Sequence, residues 1–188
     1  MSLWLTGDAD ADHLLDTDPF ALLTGMLLDQ QVPMEAAFSG PKKLADRMGG
    51  LDPQRIADMD PDEFAALAAQ PPGIHRFARS MAGRVQGLAH HVVDEYDGDA
   101  SRIWTDGDPD AATVPRRLQG LPGFGEEKSR IFLALLGKQR GVTPAGWREA
   151  AAPFGEPGTT RSVADITDKA SLLEVRATKK AIKAAARG

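Results

Sequence analysis

Four Asp-Pro pairs, at Asp18-Pro19, Asp52-Pro53, Asp60-Pro61 and Asp108-Pro109, constrain the fold of this chain more than any other feature. An aspartate before a helix accepts hydrogen bonds from the unpaired N–H groups of the first turn, and proline at the first helical position sacrifices none. Each pair therefore predicts a helix start. No stretch shows sustained period-two alternation of β-branched and aromatic residues, so no strand is expected. The fold class expected is all-α: many short helices, roughly 10–16, 19–31, 33–39, 41–48, 53–58, 60–69, 74–96, 109–120, 125–136, 144–151 and 168–187. In the longest of them Ile74, Phe77, Met81, Val85, Leu88 and Val92 recur at three- and four-residue spacing and form one apolar face. The segment from Ala152 to Thr160, rich in Pro, Gly and Thr, is the clearest non-helical connector.

The chain contains no cysteine, which excludes disulfides, thiolate zinc sites, cysteine-ligated iron–sulfur clusters and cysteine nucleophiles. His13, His75, His90 and His91 lack metal-ligand spacing, so no metal site is expected. The N-terminus has no basic segment and no apolar run is long enough to cross a membrane, so the expected location is cytoplasmic. A net charge of −5 argues at face value against nucleic acid. Its distribution argues otherwise: residues 1–70 carry 13 acidic against 4 basic side chains, whereas residues 114–140 carry two against six.

Those six, Arg116, Arg117, Lys128, Arg130, Lys138 and Arg140, lie in and beside the most informative segment, Val114 to Gly137. One helix is expected to end at Leu121. A Pro122-Gly123-Phe124-Gly125 turn reverses the chain, and a second helix runs on to Gly137 as its terminal glycine. The turn would present bare N–H groups at a helix N-terminus, a site for an anion such as phosphate. The plain alternative is an αα-hairpin whose glycines merely cap and turn. On the last helix Arg176, Lys179, Lys180, Lys183 and Arg187 form a basic stripe expected opposite Leu172, Val175 and Ile182, either a solvated face or an extension of a phosphate track.

The pattern Leu121-Pro122-Gly123-Phe124-Gly125-x-x-Lys128-Ser129 resembles the helix-hairpin-helix DNA-binding motif, and Leu27-Leu28-Asp29-Gln30-Gln31-Val32-Pro33 resembles the glutamine signature near the start of the helix-hairpin-helix DNA glycosylase (HhH-GPD) superfamily. Both stand in that family's order, and the resemblance spans about residues 19–137. It implies two helical domains flanking a DNA cleft: residues 20–137 as a helical barrel, and residues 1–19 with 138–188 as the second. It also implies a monomer that flips a damaged base out of duplex DNA and cuts its N-glycosidic bond. Gln30 and Gln31 would enter the gap, and Leu121, Gly123, Phe124, Gly125, Lys128, Ser129 and Arg130 would meet the backbone; the alternative for a glutamine is a helix-end cap or an internal backbone bond. No cofactor is expected, with room for a monovalent cation at the hairpin turn.

The match departs from the family at the chemistry. The loop Gly141–Trp147 lacks the family's aspartate, and Glu127 occupies the place of the lysine nucleophile of the lyase members. Lys128 lies one residue further, about 100° around the helix, so no lyase activity is expected. Glu149 and Glu127 are the candidate acids, with ordinary surface carboxylates as the alternative for each, and Trp147 is a candidate for stacking on an extruded base. Without an acid, the chain would be a non-catalytic DNA-binding or lesion-sensing module, or a protein-interaction hairpin.

Overall fold

Three of the four Asp-Pro pairs start helices in the computed structural model, which describes residues 2–188. Asp18, Asp52 and Asp60 cap α2 (Pro19–Leu28), α4 (Pro53–Asp58) and α5 (Pro61–Ala69), each accepting first-turn N–H groups with its carboxylate. The fourth pair does not. Asp108 has a left-handed φ of 50°, and the carboxylate of Asp110 instead takes the Thr113 N–H at 2.8 Å, delaying α8 to Thr113–Gln119. The remaining helices are α1 (Ala9–Thr17), α3 (Met34–Met48), α6 (Ala78–Tyr96), α7 (Arg102–Thr105), α9 (Glu126–Gln139), α10 (Trp147–Ala150) and α11 (Lys169–Arg187), with a 3₁₀ turn at Val163–Asp165. No strand occurs among the described residues, so the fold is all-α.

Every residue of α2 from Phe20 to Leu28 is buried, and α1, α3 and α6 pack against it. The two helices expected over 33–39 and 41–48 are one, α3, with Pro41 inside it. Tertiary packing outweighs the cost of an interior proline, about 3 kcal/mol. A Cβ at Gly25 would lie 2.4 Å from Phe38 and one at Gly40 2.5 Å from Leu28, so a side chain of each helix rests directly on the other's backbone. The expected helix from 74 begins only at Ala78. His75 Nδ1 accepts the Phe77 N–H at 2.9 Å, which holds Ile74–Phe77 in a turn and leaves Phe77 on the surface.

Gly137 does not end the hairpin's second helix. α9 continues to Gln139 because Gly137 faces Trp147, whose ring would meet a Cβ there at 2.4 Å; the chain turns afterwards at Gly141. A single apolar core runs from Leu3 and Leu5 through α2 to Leu172 and Val175. Beyond Thr178 every residue of α11 is exposed, so its last turns project from the body.

Candidate nucleic-acid interface

The hairpin turn and the glutamine turn form one unit. Gly123 has φ +78°, and a Cβ on it would sit 2.3 Å from Leu27 Cδ1, so the turn rests directly on the end of α2. Lys128, from the first turn of α9, donates through Nζ to the carbonyl oxygens of Met26 at 2.7 Å and Asp29 at 3.3 Å. A cation on the last carbonyls of a helix is favoured by the dipole, and here it ties α2 to α9. Burial pushes the Lys128 ammonium down from its ordinary range, with Arg84 adding to the effect and Asp29 opposing it. Gly125 precedes α9 in extended backbone, supplies no side-chain cap, and has open space where a Cβ would stand. The first-turn N–H groups of α9 thus face outward on a surface that a phosphate can approach.

The two glutamines separate. Gln30 is built into the fold: its Nε2 donates to Leu27 O at 2.9 Å, its Oε1 accepts from Arg84 at 2.9 Å, and its carbonyl accepts from His75 Nε2 at 2.9 Å. Because His75 Nδ1 already accepts, its proton is on Nε2. Gln31 is exposed with φ +62°, a conformation that a residue with a side chain rarely adopts. The same turn region exposes Phe77, with the Arg76 guanidinium 5.3 Å from its ring centroid.

A groove of about 1010 Å³ runs beside this unit. One wall is the end of α2 and the start of α9, with Asp29, Glu126, Glu127, Lys128 and Arg130; the other is Pro153, Phe154, Arg161 and the α11 residues Lys179, Ile182 and Lys183. Ile182 therefore faces this groove and is 47% exposed, instead of lying with Leu172 and Val175 in the core, because α11 has left the body by that point. Leu121, Phe124 and Ser129 lie inside the fold: the first two are core residues, and the Ser129 hydroxyl donates to Gly125 O at 2.8 Å.

Most of the six hairpin cations are engaged internally. Arg117 donates to Ile103 O and Asp106 O at 3.2 and 3.0 Å, Lys138 pairs with Asp165 at 2.5 Å, Arg140 pairs with Asp16, and Arg130 pairs with Glu126. Arg116 is exposed, reaching only Thr113 Oγ1 at 3.3 Å. The expected ring of cations is thus largely structural. Around the groove, exposed positive charge lies instead on Arg161 and along the end of α11, on Lys179, Lys180, Lys183 and Arg187, while Arg176 pairs with Glu35.

Of the candidate acids, Glu127 borders the groove and Glu149 does not. Glu149 is exposed on α10, whose Trp147 packs on Gly137, eleven residues or about 16 Å along α9 from Glu126. Trp147 is 8% exposed, with the Arg148 guanidinium 4.4 Å from its ring, so it packs on α9 and is absent from the groove lining. A carboxylate that no sequence motif singles out does border the groove: Asp29, beside the glutamines. Burial pushes its carboxyl up, against the attraction of Lys179 and Lys128, with Glu35 adding to the rise. Its only signal in the sequence is its place next to Gln30, where it reads as part of a motif. Among the described residues no three His, Cys, Asp or Glu side chains gather as a metal would require, and no helix is long and apolar enough to cross a membrane.

The family model for HhH-GPD superfamily base excision DNA repair proteins matches residues 24–186 of the 188. That span takes in the glutamine turn, the hairpin, both walls of the groove and nearly all of α11. No curated protein matches the chain.

Proposed function

Since the chain belongs to the HhH-GPD superfamily of base excision DNA repair proteins, we propose that it binds damaged duplex DNA along the groove, extrudes a base and hydrolyses its N-glycosidic bond, with no lyase step. The observation that carries this reading is the joined unit of hairpin and glutamine turn. Lys128 and the Gly123–Leu27 contact hold an uncapped helix N-terminus in fixed register with the end of α2, from which the exposed Gln31 follows two residues after the groove-lining Asp29. Fixing both in advance lowers the ordering cost of binding.

Each part has a physical task. The outward N–H groups at α9 receive a backbone phosphate without reading sequence. Gln31 enters the space vacated by the base and hydrogen-bonds its former partner through the amide. Phe77, exposed on the neighbouring turn, is an apolar wedge that helps unstack the duplex. The projecting basic end of α11 follows the backbone on the far wall. Residues 20–137 and residues 1–19 with 138–188 are proposed as the two flanks, a division supported by the groove drawing its walls from 26–131 and from 153–186. Absence of the lyase step is supported by Lys128 Nζ, which is held on the carbonyl oxygens of Met26 and Asp29 and so is tied to the fold instead of reaching for a sugar.

The test is a panel of duplex oligonucleotides carrying oxidised, deaminated or alkylated bases, assayed with and without alkali. Strand cleavage only after alkali is expected, because a hydrolysed base leaves an abasic site. Cleavage without alkali, or trapping of the protein on DNA by borohydride, would overturn the hydrolytic reading. The loop Gly141–Trp147, with no acidic residue, favours a second reading, a lesion sensor. Tight binding to abasic-analogue duplex with no base released from any member of the panel would select it.

A further inference from the structure

We propose that Asp29 is the catalytic carboxylate of this protein and that the apolar recess behind it receives the extruded base, an assignment that rests on the excision reading above. Asp29 and Lys179 line both the open groove and a second cavity of about 330 Å³, at the small end of ordinary ligand sites of about 300–1,000 Å³. The walls of the recess include Val32, Met34, Leu172 and Val175, from the start of α3 with its preceding loop and from α11. A base leaving a duplex in the groove for this recess passes Asp29, which brings its sugar C1′ to the carboxylate.

The main chain of Asp29 is fixed and its carboxylate is not consumed. Its N–H donates to Met26 O at 3.3 Å and its carbonyl accepts from Lys128 at 3.3 Å, while Lys128 and Lys179 act on the carboxylate only through space. Glu35, the acid that acts on Asp29 through space, is paired with Arg176. Burial raises the Asp29 carboxyl, as expected of an acid that must exchange a proton near neutral pH. In the reaction, a water oxygen forms a bond to C1′ as the C1′–N bond breaks and its electron pair goes to the base. Asp29 first opposes the positive charge growing on the sugar, then takes the water proton and passes it to the departing base nitrogen.

Binding to two uncleavable duplexes decides the question, one with a neutral tetrahydrofuran abasic analogue and one with a cationic pyrrolidine analogue that imitates the charged sugar. The wild type is expected to bind the cationic duplex about tenfold or more tightly. Asp29→Asn is expected to lose that preference while keeping its affinity for the neutral duplex, and Asp29→Glu to keep part of it; Asp29→Ser repeats the measurement if Asn disturbs the turn. A wild type without the preference, or an Asn variant that retains it, overturns the assignment of Asp29 even if the oligonucleotide panel shows excision. A wild type that binds neither duplex overturns the excision reading as well.

Discussion

Gly123 and Gly125, two glycines of the same turn, are expected to respond to alanine in opposite ways. At Gly123 the φ of +78° places an alanine in the left-handed region, which costs roughly 1–2 kcal/mol. Its Cβ would also lie 2.3 Å from Leu27 Cδ1, and Leu27 is fully buried and cannot swing away. Relieving such a clash in a packed core costs about 1–3 kcal/mol more. The expected loss is therefore about 2–5 kcal/mol, a large part of the roughly 5–15 kcal/mol that holds a domain folded. At Gly125 the φ is −82° and nothing lies within 4 Å of where an alanine methyl would stand, so Gly125→Ala should fold like the wild type. The methyl instead projects from the residue before the first turn of α9, where a phosphate would approach.

Urea unfolding and titration of a fluorescent abasic-analogue duplex, run on both variants, separate the two effects. Gly123→Ala should move the unfolding midpoint down with little change in slope. Gly125→Ala should leave the midpoint alone and weaken DNA binding by roughly tenfold or more, the equivalent of one or two phosphate hydrogen bonds. A Gly123→Ala protein within about 0.5 kcal/mol of the wild type, the margin of ordinary surface changes, would refute the packing argument. A Gly125→Ala protein with undiminished affinity would refute the hairpin as the phosphate site.

Lys128→Met removes two charge-assisted bonds that hold the end of α2, at Met26 and Asp29, to α9; a loss of about 1.5–3 kcal/mol in denaturant titration is expected, together with weaker binding to abasic duplex. Lys138 and Asp165 form a pair in which both side chains are mostly shielded, so Lys138→Met should cost about 3 kcal/mol in the same titration by leaving the Asp165 charge with only the neutral donors of Thr159, Arg161 and Ser162. Asp29→Asn should raise the melting temperature at neutral pH. Burial lifts the folded carboxyl above its unfolded value, so the folded state holds that proton more tightly, and the stability this supplies in acid is lost as pH rises through the folded value. A gain of about 0.5–2 kcal/mol is expected at pH 7, vanishing as pH falls below the ordinary carboxylate range of about 4; a calorimetric scan showing the variant less stable at pH 7 contradicts the cause assigned.

The helices were largely legible in the sequence because their start signals are local. Asp18, Asp52 and Asp60 each cap within three residues of themselves, and no distant partner competes. Where a distant group intervened, the local reading failed. Pro41 stays inside α3 because Gly25 and Gly40 let α2 lie against it, and Gly137 stays inside α9 because Trp147 covers it. The candidate site divides the same way. The hairpin and the glutamine turn were readable as motifs, but only the folded chain distinguishes Gln30, bonded through both ends of its amide and its carbonyl, from Gln31, exposed beside it. Asp29 was hidden for a related reason: its significance comes from Lys179, Leu172 and Val175, some 140 to 150 positions away.

Burial and pairing also change what the charge map means. Six cations around the hairpin suggest a DNA face, yet Arg117, Lys128, Lys138 and Arg140 serve carbonyls and carboxylates of the fold itself, and Lys128 and Arg140 reach partners about a hundred residues away. A cation so held releases no bound ions when DNA arrives, so it adds little to the salt dependence of binding. A run of free cations lies on α11 past the last core residue, Val175, where Lys179, Lys180, Lys183 and Arg187 are all exposed. Each that meets a phosphate should contribute about 0.9 to the slope of log affinity against log salt. Replacing Lys179, Lys180 and Lys183 with Gln should therefore flatten that slope by about 2–3 without moving the unfolding midpoint, while Arg117→Gln should lower the midpoint and leave the slope unchanged. The reverse pattern would return the DNA face to the hairpin cations, and with it the view that residue counts alone locate a binding surface.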